Sequence, residues 1–185
     1  GYEPLIVLPM RSVICERAYR AFGVNHFAFI SSYENNDVDR IILNFISNIS
    51  GINSMLNLKH KGCHVGQAVL STLMRQFRLG EPDLSEPFML ERVKILLKNS
   101  CTAVDSFEYF FKKYKPSIVV ITDRYTPNAE LFDMAAENAV PIISHNGAHR
   151  SDSIVLKRYS QVNRESHPFS LSDKTWKKIC EIIWD

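Results

Sequence analysis

The stretch from Ser117 to Ser144, SIVVITDRYTPNAELFDMAAENAVPIIS, constrains the fold most. It opens with six β-branched or small residues, almost wholly apolar. That is the signature of a parallel strand buried on both faces. In the middle, Thr126 is placed to cap a helix, with Pro127 at its first position and Glu130 as a dipole-favoured acid in the first turn. Val140–Ser144 reads as a second strand. Strand, helix and strand within about 30 residues make a βαβ unit, whose strands lie parallel.

The rest of the chain repeats the alternation. Pro4–Pro9 and His26–Ser31 are apolar runs of strand length, and between them Arg11–Phe22 has helical spacing that stops at Gly23. Val38, Ile41, Ile42, Phe45, Ile46 and Ile49 form one helical stripe behind Asp37, closed by Gly51. Val65, Val69, Leu73 and Phe77 mark another helix, with Gln67, Ser71, Arg75 and Arg78 on its opposite face. A long helical pattern runs from Phe88 to Tyr114. Ser170 is set to cap a last helix, Leu171–Trp184, whose Trp176, Ile179, Cys180 and Ile183 face a core. The expected fold is α/β: one Rossmann-like three-layer domain, residues 1–185, around a parallel sheet.

Bulk properties remove several function classes. Net charge is only +2, so nothing global points to nucleic acid. The four cysteines, Cys15, Cys63, Cys101 and Cys180, are scattered without paired spacing, which favours a reducing, cytoplasmic setting. No apolar run approaches the ~20 residues of a membrane-spanning helix. A start at Gly1 rather than methionine reads as an excised piece of a longer protein or a processed chain.

In open α/β sheets, ligands bind beyond the carboxyl ends of the strands. Ser31–Asn36, Asp123–Thr126 and His145–Arg150 each follow a strand and are rich in polar side chains. They are expected along one edge of the sheet, as the rim of a site. Asn146-Gly147 alone is also an ordinary turn signal.

Two metal readings fail on geometry. His60, Cys63 and His64 sit in a Gly-containing loop without a partner cluster, and His145 and His149 are separated by Asn-Gly, which disfavours a shared helical face. The basic segment is more suggestive. No acidic residue occurs from Arg40 to Gly80, while Lys59, Lys61, Arg75 and Arg78 do. Such a surface attracts phosphate or an anionic membrane face, and Gly62 and Gly66 flank a helix start where backbone N–H groups can meet an anion. Neither a Walker loop nor G-x-G-x-x-G is present.

LKHKGCHVGQAVLSTLMRQFR (Leu58–Arg78) and YKPSIVVITDRYTPNAELFDMAAENAVPIISHNGAH (Tyr114–His149) are followed in order by LKRY (Leu156–Tyr159) and HPFSLS (His167–Ser172). Together they resemble the amino-terminal half of bacterial capsule and cell-surface polysaccharide biosynthesis proteins, a group of GT-B-like glycosyltransferases. The resemblance implies an acceptor-side half-domain. Its nucleotide-sugar donor would sit in a carboxy-terminal half outside this chain, with no cofactor or metal in the half seen here. It implies a carbohydrate or lipid-linked acceptor and a cytoplasmic location, peripheral on the inner face of the membrane. If transfer inverts the anomeric centre, a base must deprotonate the acceptor hydroxyl, work that suits a histidine. His149 and His145 are the candidates, with Asp152 to orient an imidazole and Asp123 as the competing base. Arg124, Tyr125, Thr126, Asn146, Gly147, Arg150, Lys59, Lys61, Gly66 and Gln67 are the implied substrate-binding residues. The alternative is a non-catalytic binding or scaffolding domain in a polysaccharide biosynthesis complex.

Overall fold

The computed structural model describes residues 3–32, 37–122, 127–147 and 152–160, with Asn163, Lys177, Lys178 and Glu181 beyond them. The chain is a mixed α/β protein in the order β1 (Leu5–Leu8), α1 (Val13–Ala21), β2 (His26–Phe29), α2 (Val38–Asn48), α3 (Ile52–Leu56), α4 (Val65–Phe77), α5 (Pro87–Tyr114), β3 (Val119–Ile121), α6 (Asn128–Glu137), β4 (Ile142–Gly147) and β5 (Ile154–Tyr159).

The expected parallel sheet is found in two pieces among the described residues. β1 and β2 form a two-stranded parallel pair, with Leu5 opposite His26 and Leu8 opposite Phe29. The second sheet has the order β3-β4-β5. β3 and β4 are parallel, Val119 facing Ile142 and Ile121 facing Ser144, as the βαβ reading requires. β5 is antiparallel to β4, so this sheet is mixed.

Helix α5 is the centre of the core. Pro87 opens it, where the missing N–H costs nothing, and Lys115 closes it in the left-handed conformation just before Pro116. Val93, Leu97, Cys101, Val104 and Phe107 form its buried stripe, and α2, α4 and α6 pack around it. From α4, Val65, Val69 and Leu73 are fully buried, as their spacing predicts. Gly66 is there because nothing larger fits. A Cβ on it would lie 1.7 Å from the Met55 carbonyl oxygen of α3, and its own N–H donates to the Leu58 carbonyl at 3.2 Å. Glycine lets two backbones touch.

Helix α6 covers one face of the β3-β4-β5 sheet. Phe132 meets Tyr159 edge-on at 5.1 Å between ring centroids, a pairing worth ~1 kcal/mol beyond area burial. Val119, Ile121, Ile142 and Ser144 point to this side and are buried. The other face is open. Val120 is 59% exposed, which corrects the expectation that SIVVIT is buried on both sides.

Three local readings also change. Helix α6 begins at Asn128 with Pro127 at the cap, one residue later than expected, and Thr126 lies outside the described residues. Glu130 does stand in the first turn, but it is buried and accepts a 2.5 Å hydrogen bond from Ser100 Oγ. Strand β4 runs on to Gly147, so His145, Asn146 and Gly147 belong to a ladder rather than a loop. The partner responsible is β5, a strand that the alternation of apolar runs does not announce. Of the final helix, only Lys177, Lys178 and Glu181 are described. Glu181 N–H donates to the Lys177 carbonyl at 3.1 Å, the i to i+4 bond of a helix.

Candidate functional site

Two polar clusters result from this arrangement. The first is the carboxyl edge of β3 and β4. The pairing of Ile121 with Ser144 brings Thr122 and His145–Gly147 out at the same end of the sheet. Asn128, in the first turn of α6, donates through Nδ2 to Thr122 Oγ1 at 3.4 Å, tying the helix start to the end of β3. Alternation along β4 sends Ser144 and Asn146 toward α6 and His145 to the open face. Asn146 Nδ2 donates to Ser144 Oγ at 3.0 Å, and both His145 and Asn146 are half-buried.

Gly147 pairs with Ile154 in the ladder rather than forming the turn that Asn146-Gly147 signals, and a Cβ there would meet nothing within 4 Å. Asp152 is exposed and accepts from Ser153 Oγ at 3.1 Å. Asp123, Arg124, Tyr125, Thr126, His149 and Arg150 lie outside the described residues.

The second cluster gathers around residues 58–66. His60 and Cys63 exchange backbone hydrogen bonds at 3.0 and 2.9 Å across Lys61 and Gly62, both at positive φ. That is a tight turn of the kind that favours glycine at its second central position. The turn sits on α5 and α6. Asp105 of α5, fully buried, accepts from His60 Nε2 at 2.8 Å and from Lys61 Nζ at 2.6 Å. Lys61 Nζ reaches Glu108 as well, at 2.6 Å. Asp133 of α6 accepts from the His64 backbone N–H at 2.7 Å and from its ring Nδ1 at 3.1 Å.

The electrostatics follow from these pairs. Burial alone would lower the Lys61 pKa. The hydrogen bonds and negative charge of Asp105 and Glu108 outweigh it and hold the ammonium well above its ordinary range. Glu108 is held low by hydrogen bonds from Lys112 and Lys61. Cys101, in the same core, has its thiol pushed up to about 12 by burial and then by the charges of Asp105 and Glu130. A thiol so placed is a packing group, not a nucleophile.

Within the acid-free run from Arg40 to Gly80, Lys61 is neutralised by Asp105 and Glu108 of α5, whereas Lys59, Arg75 and Arg78 are exposed. The backbone N–H at the threshold of α4 already meets a carboxylate, Asp133. Of the implied phosphate-binding residues, Lys61 is committed to two acids, Gly66 is a contact between backbones, and Lys59 and Gln67 remain exposed. Sequence reasoning missed Asp105 and Asp133, and read Glu130 only as a first-turn acid. One signal was present: Asp105 falls beside Cys101 and Val104 on a stripe otherwise apolar, a carboxylate where a core needs a partner for it.

The sheet edge gathers a hydroxyl, an imidazole and a carboxamide, from Thr122, His145 and Asn146, groups that can hydrogen-bond a ligand. In the clamp at 58–66, His60, Lys61 and His64 are paired with Asp105, Glu108 and Asp133, which ties the segment to α5 and α6. Among the described residues, no group of three or more His, Cys, Asp or Glu side chains is placed to hold a metal ion. No protein-family model, curated protein or solved structure matches this chain.

Proposed function

We propose that this chain is the acceptor-side, Rossmann-like three-layer half of a GT-B-like glycosyltransferase acting in surface polysaccharide biosynthesis, on the cytoplasmic face of the membrane. The reading draws on the ordered motifs of residues 58–172. The observation that carries it is the parallel register of β3 and β4, which brings Thr122, His145 and Asn146 to one carboxyl edge. Ligands of open α/β sheets collect at such edges. His145 would serve as base toward an acceptor hydroxyl, with His149 and Asp123 as the competing bases. Donor binding belongs to a second half, so the 185-residue chain alone should bind acceptor but transfer nothing. The test is the transfer rate of the full reading frame with His145→Ala, His149→Ala and Asp123→Asn. Loss of roughly 10²-fold or more at one of them identifies the base. Three normal rates, or robust transfer by this chain alone, overturn the proposal.

A second reading, a non-catalytic binding domain, is favoured by α1 and its flanks. Met10, Ile14 and Phe22 are 66%, 83% and 87% exposed within one short segment. Large apolar side chains gathered this way mark contact surfaces. Stable association with a partner half through Ile14 and Phe22, without transfer by the resulting pair, would support this reading over the first.

A further inference from the structure

Two exposed surfaces of the molecule are opposite in shape and in charge. The first is α1. Its inner side is held by buried Glu16 and by Tyr19, whose ring lies 6.4 Å from Phe27 of β2. At about 100° per residue, Val13, Ile14, Arg17 and Ala21 then share the outer side. Val13 and Ile14 are 62% and 83% exposed, and Arg17 makes no ion pair among the described residues. Glu16 is the only acid of the helix and faces inward, so the outer ridge is apolar and basic.

The second surface is a groove bounded by α3, α4 and residues 80–85. It consists of two adjoining hollows of about 590 and 490 Å³ that share Ile52, Glu81 and Pro82. Ile52, Leu56, Leu70 and Met74 give it apolar walls. Glu81 and Asp83 are its only charged lining residues, and Arg75 and Arg78 at the end of α4 line neither hollow. Glu81 makes no ion pair among the described residues. Ser85 donates to Asp83 from its N–H at 2.9 Å and its hydroxyl at 2.7 Å, which holds that carboxyl below its ordinary range and keeps it ionised.

An apolar helical ridge and an apolar groove with a rim of opposite sign are the two halves of a helix-in-groove contact. We propose that this chain binds a second copy of itself through them. The outer ridge of α1 in one copy seats in the α3–α4 groove of the next, with Val13 and Ile14 on Leu56 and Met74 and Arg17 against Glu81.

Val13, Ile14, Leu56 and Met74 are all exposed in the single chain, so neither surface covers the other within it. Two α1 ridges face to face would bring Arg17 against Arg17. An anionic membrane would suit α1 but would repel Glu81 and Asp83 and leave the groove uncovered. A second copy answers both surfaces at once, by charge as well as shape. Reciprocal docking closes a two-fold pair, and one-way docking extends a chain of copies. The contact needs neither a donor half nor a partner half, so it stands apart from both functional readings above.

Sedimentation equilibrium of the 185-residue chain should show self-association that weakens several-fold as salt rises. Ile14→Lys and Met74→Lys, both at exposed positions, should each give a monomer with unchanged far-ultraviolet helicity. Mixed, these two variants should form a pair, because one keeps the groove and the other keeps α1. Arg17→Glu and Glu81→Arg should each weaken association, and the two together in one chain should restore it. A wild-type chain that stays monomeric at high micromolar concentration overturns the proposal. So does association that Ile14→Lys abolishes and Met74→Lys leaves intact, or a mixture of the two variants that remains monomeric. If the monomer instead binds phosphatidylglycerol vesicles through Ile14, α1 is a membrane surface and the groove is not its seat.

Discussion

Residues 58–66 and residues 10–23 are both short segments rich in charge, yet the structure treats them oppositely. The first is sewn to α5 and α6 by Asp105, Glu108 and Asp133, and Cys63, Val65 and Gly66 within it are buried. The second keeps one buried group, Glu16, which accepts from Arg11 at 3.3 Å and lies 3.8 Å from Arg20, all within its own turn. Its large apolar side chains face outward. A segment whose partners come from distant parts of the chain becomes part of the core. One whose partners are its own neighbours stays a surface and remains available to something else.

Asp105→Ala should produce the largest break in that contrast. It leaves buried His60 without its acceptor, while Lys61 keeps Glu108, at a cost of about 3 kcal/mol. Chemical denaturation should show it as a lower midpoint with an unchanged slope. Gly66→Ala comes next, because its methyl must displace the Met55 carbonyl, and a loss of about 2 kcal/mol is expected from such overpacking. In the other region, Ile14→Ser should stay within about half a kcal/mol, since Ile14 is almost fully exposed. A loss there comparable to Gly66→Ala would erase the distinction between the two segments.

Thiol chemistry sharpens the same contrast without mutation. Cys15 is exposed, whereas Cys63 and Cys101 are buried. Under native conditions a thiol reagent should modify Cys15 readily and reach the other two only on unfolding. The smallest effect is acid sensitivity. Glu108 has a lowered pKa in the folded chain, so its contribution is present above the ordinary carboxylate range and is lost as pH falls through the folded value. Glu108→Gln should flatten that part of the stability–pH curve only slightly, because the side chain is one-third exposed.

Periodic apolar spacing makes most of the helices legible in the sequence. α2, α4 and α5 lie where Val38–Ile49, Val65–Phe77 and Phe88–Tyr114 predict them, and the β3-α6-β4 unit is parallel as its composition requires. β5 is hidden because IVLKRY lacks clean alternation of apolar and polar residues, although Asp152, Ser153 and Ser160 bound it, so its pairing with β4 is a tertiary choice. That choice draws His145, Asn146 and Gly147 into the ladder and moves the rim of the candidate site. The clamp is illegible for a different reason. A run without acids gives no sign of its partners in one dimension, and only folding shows that Asp105, Glu108 and Asp133 reach His60, Lys61 and His64 from elsewhere. Asp123 to Thr126, His149 and Arg150 fall outside the described residues.

The hydrogen bonds of the clamp also set an order of events along the chain. They join residues 45, 47 and 69 positions apart, so each must wait for a large loop to close. Helix α4 can form locally in microseconds, but its threshold is fixed only when Asp133 arrives from α6. During synthesis, the ribosome must therefore deliver residue 133 before residue 64 reaches its final partner. Until then the turn at His60–Cys63 is held by its own two backbone bonds and, once α5 has emerged, by Asp105 and Glu108, with His64 still in water.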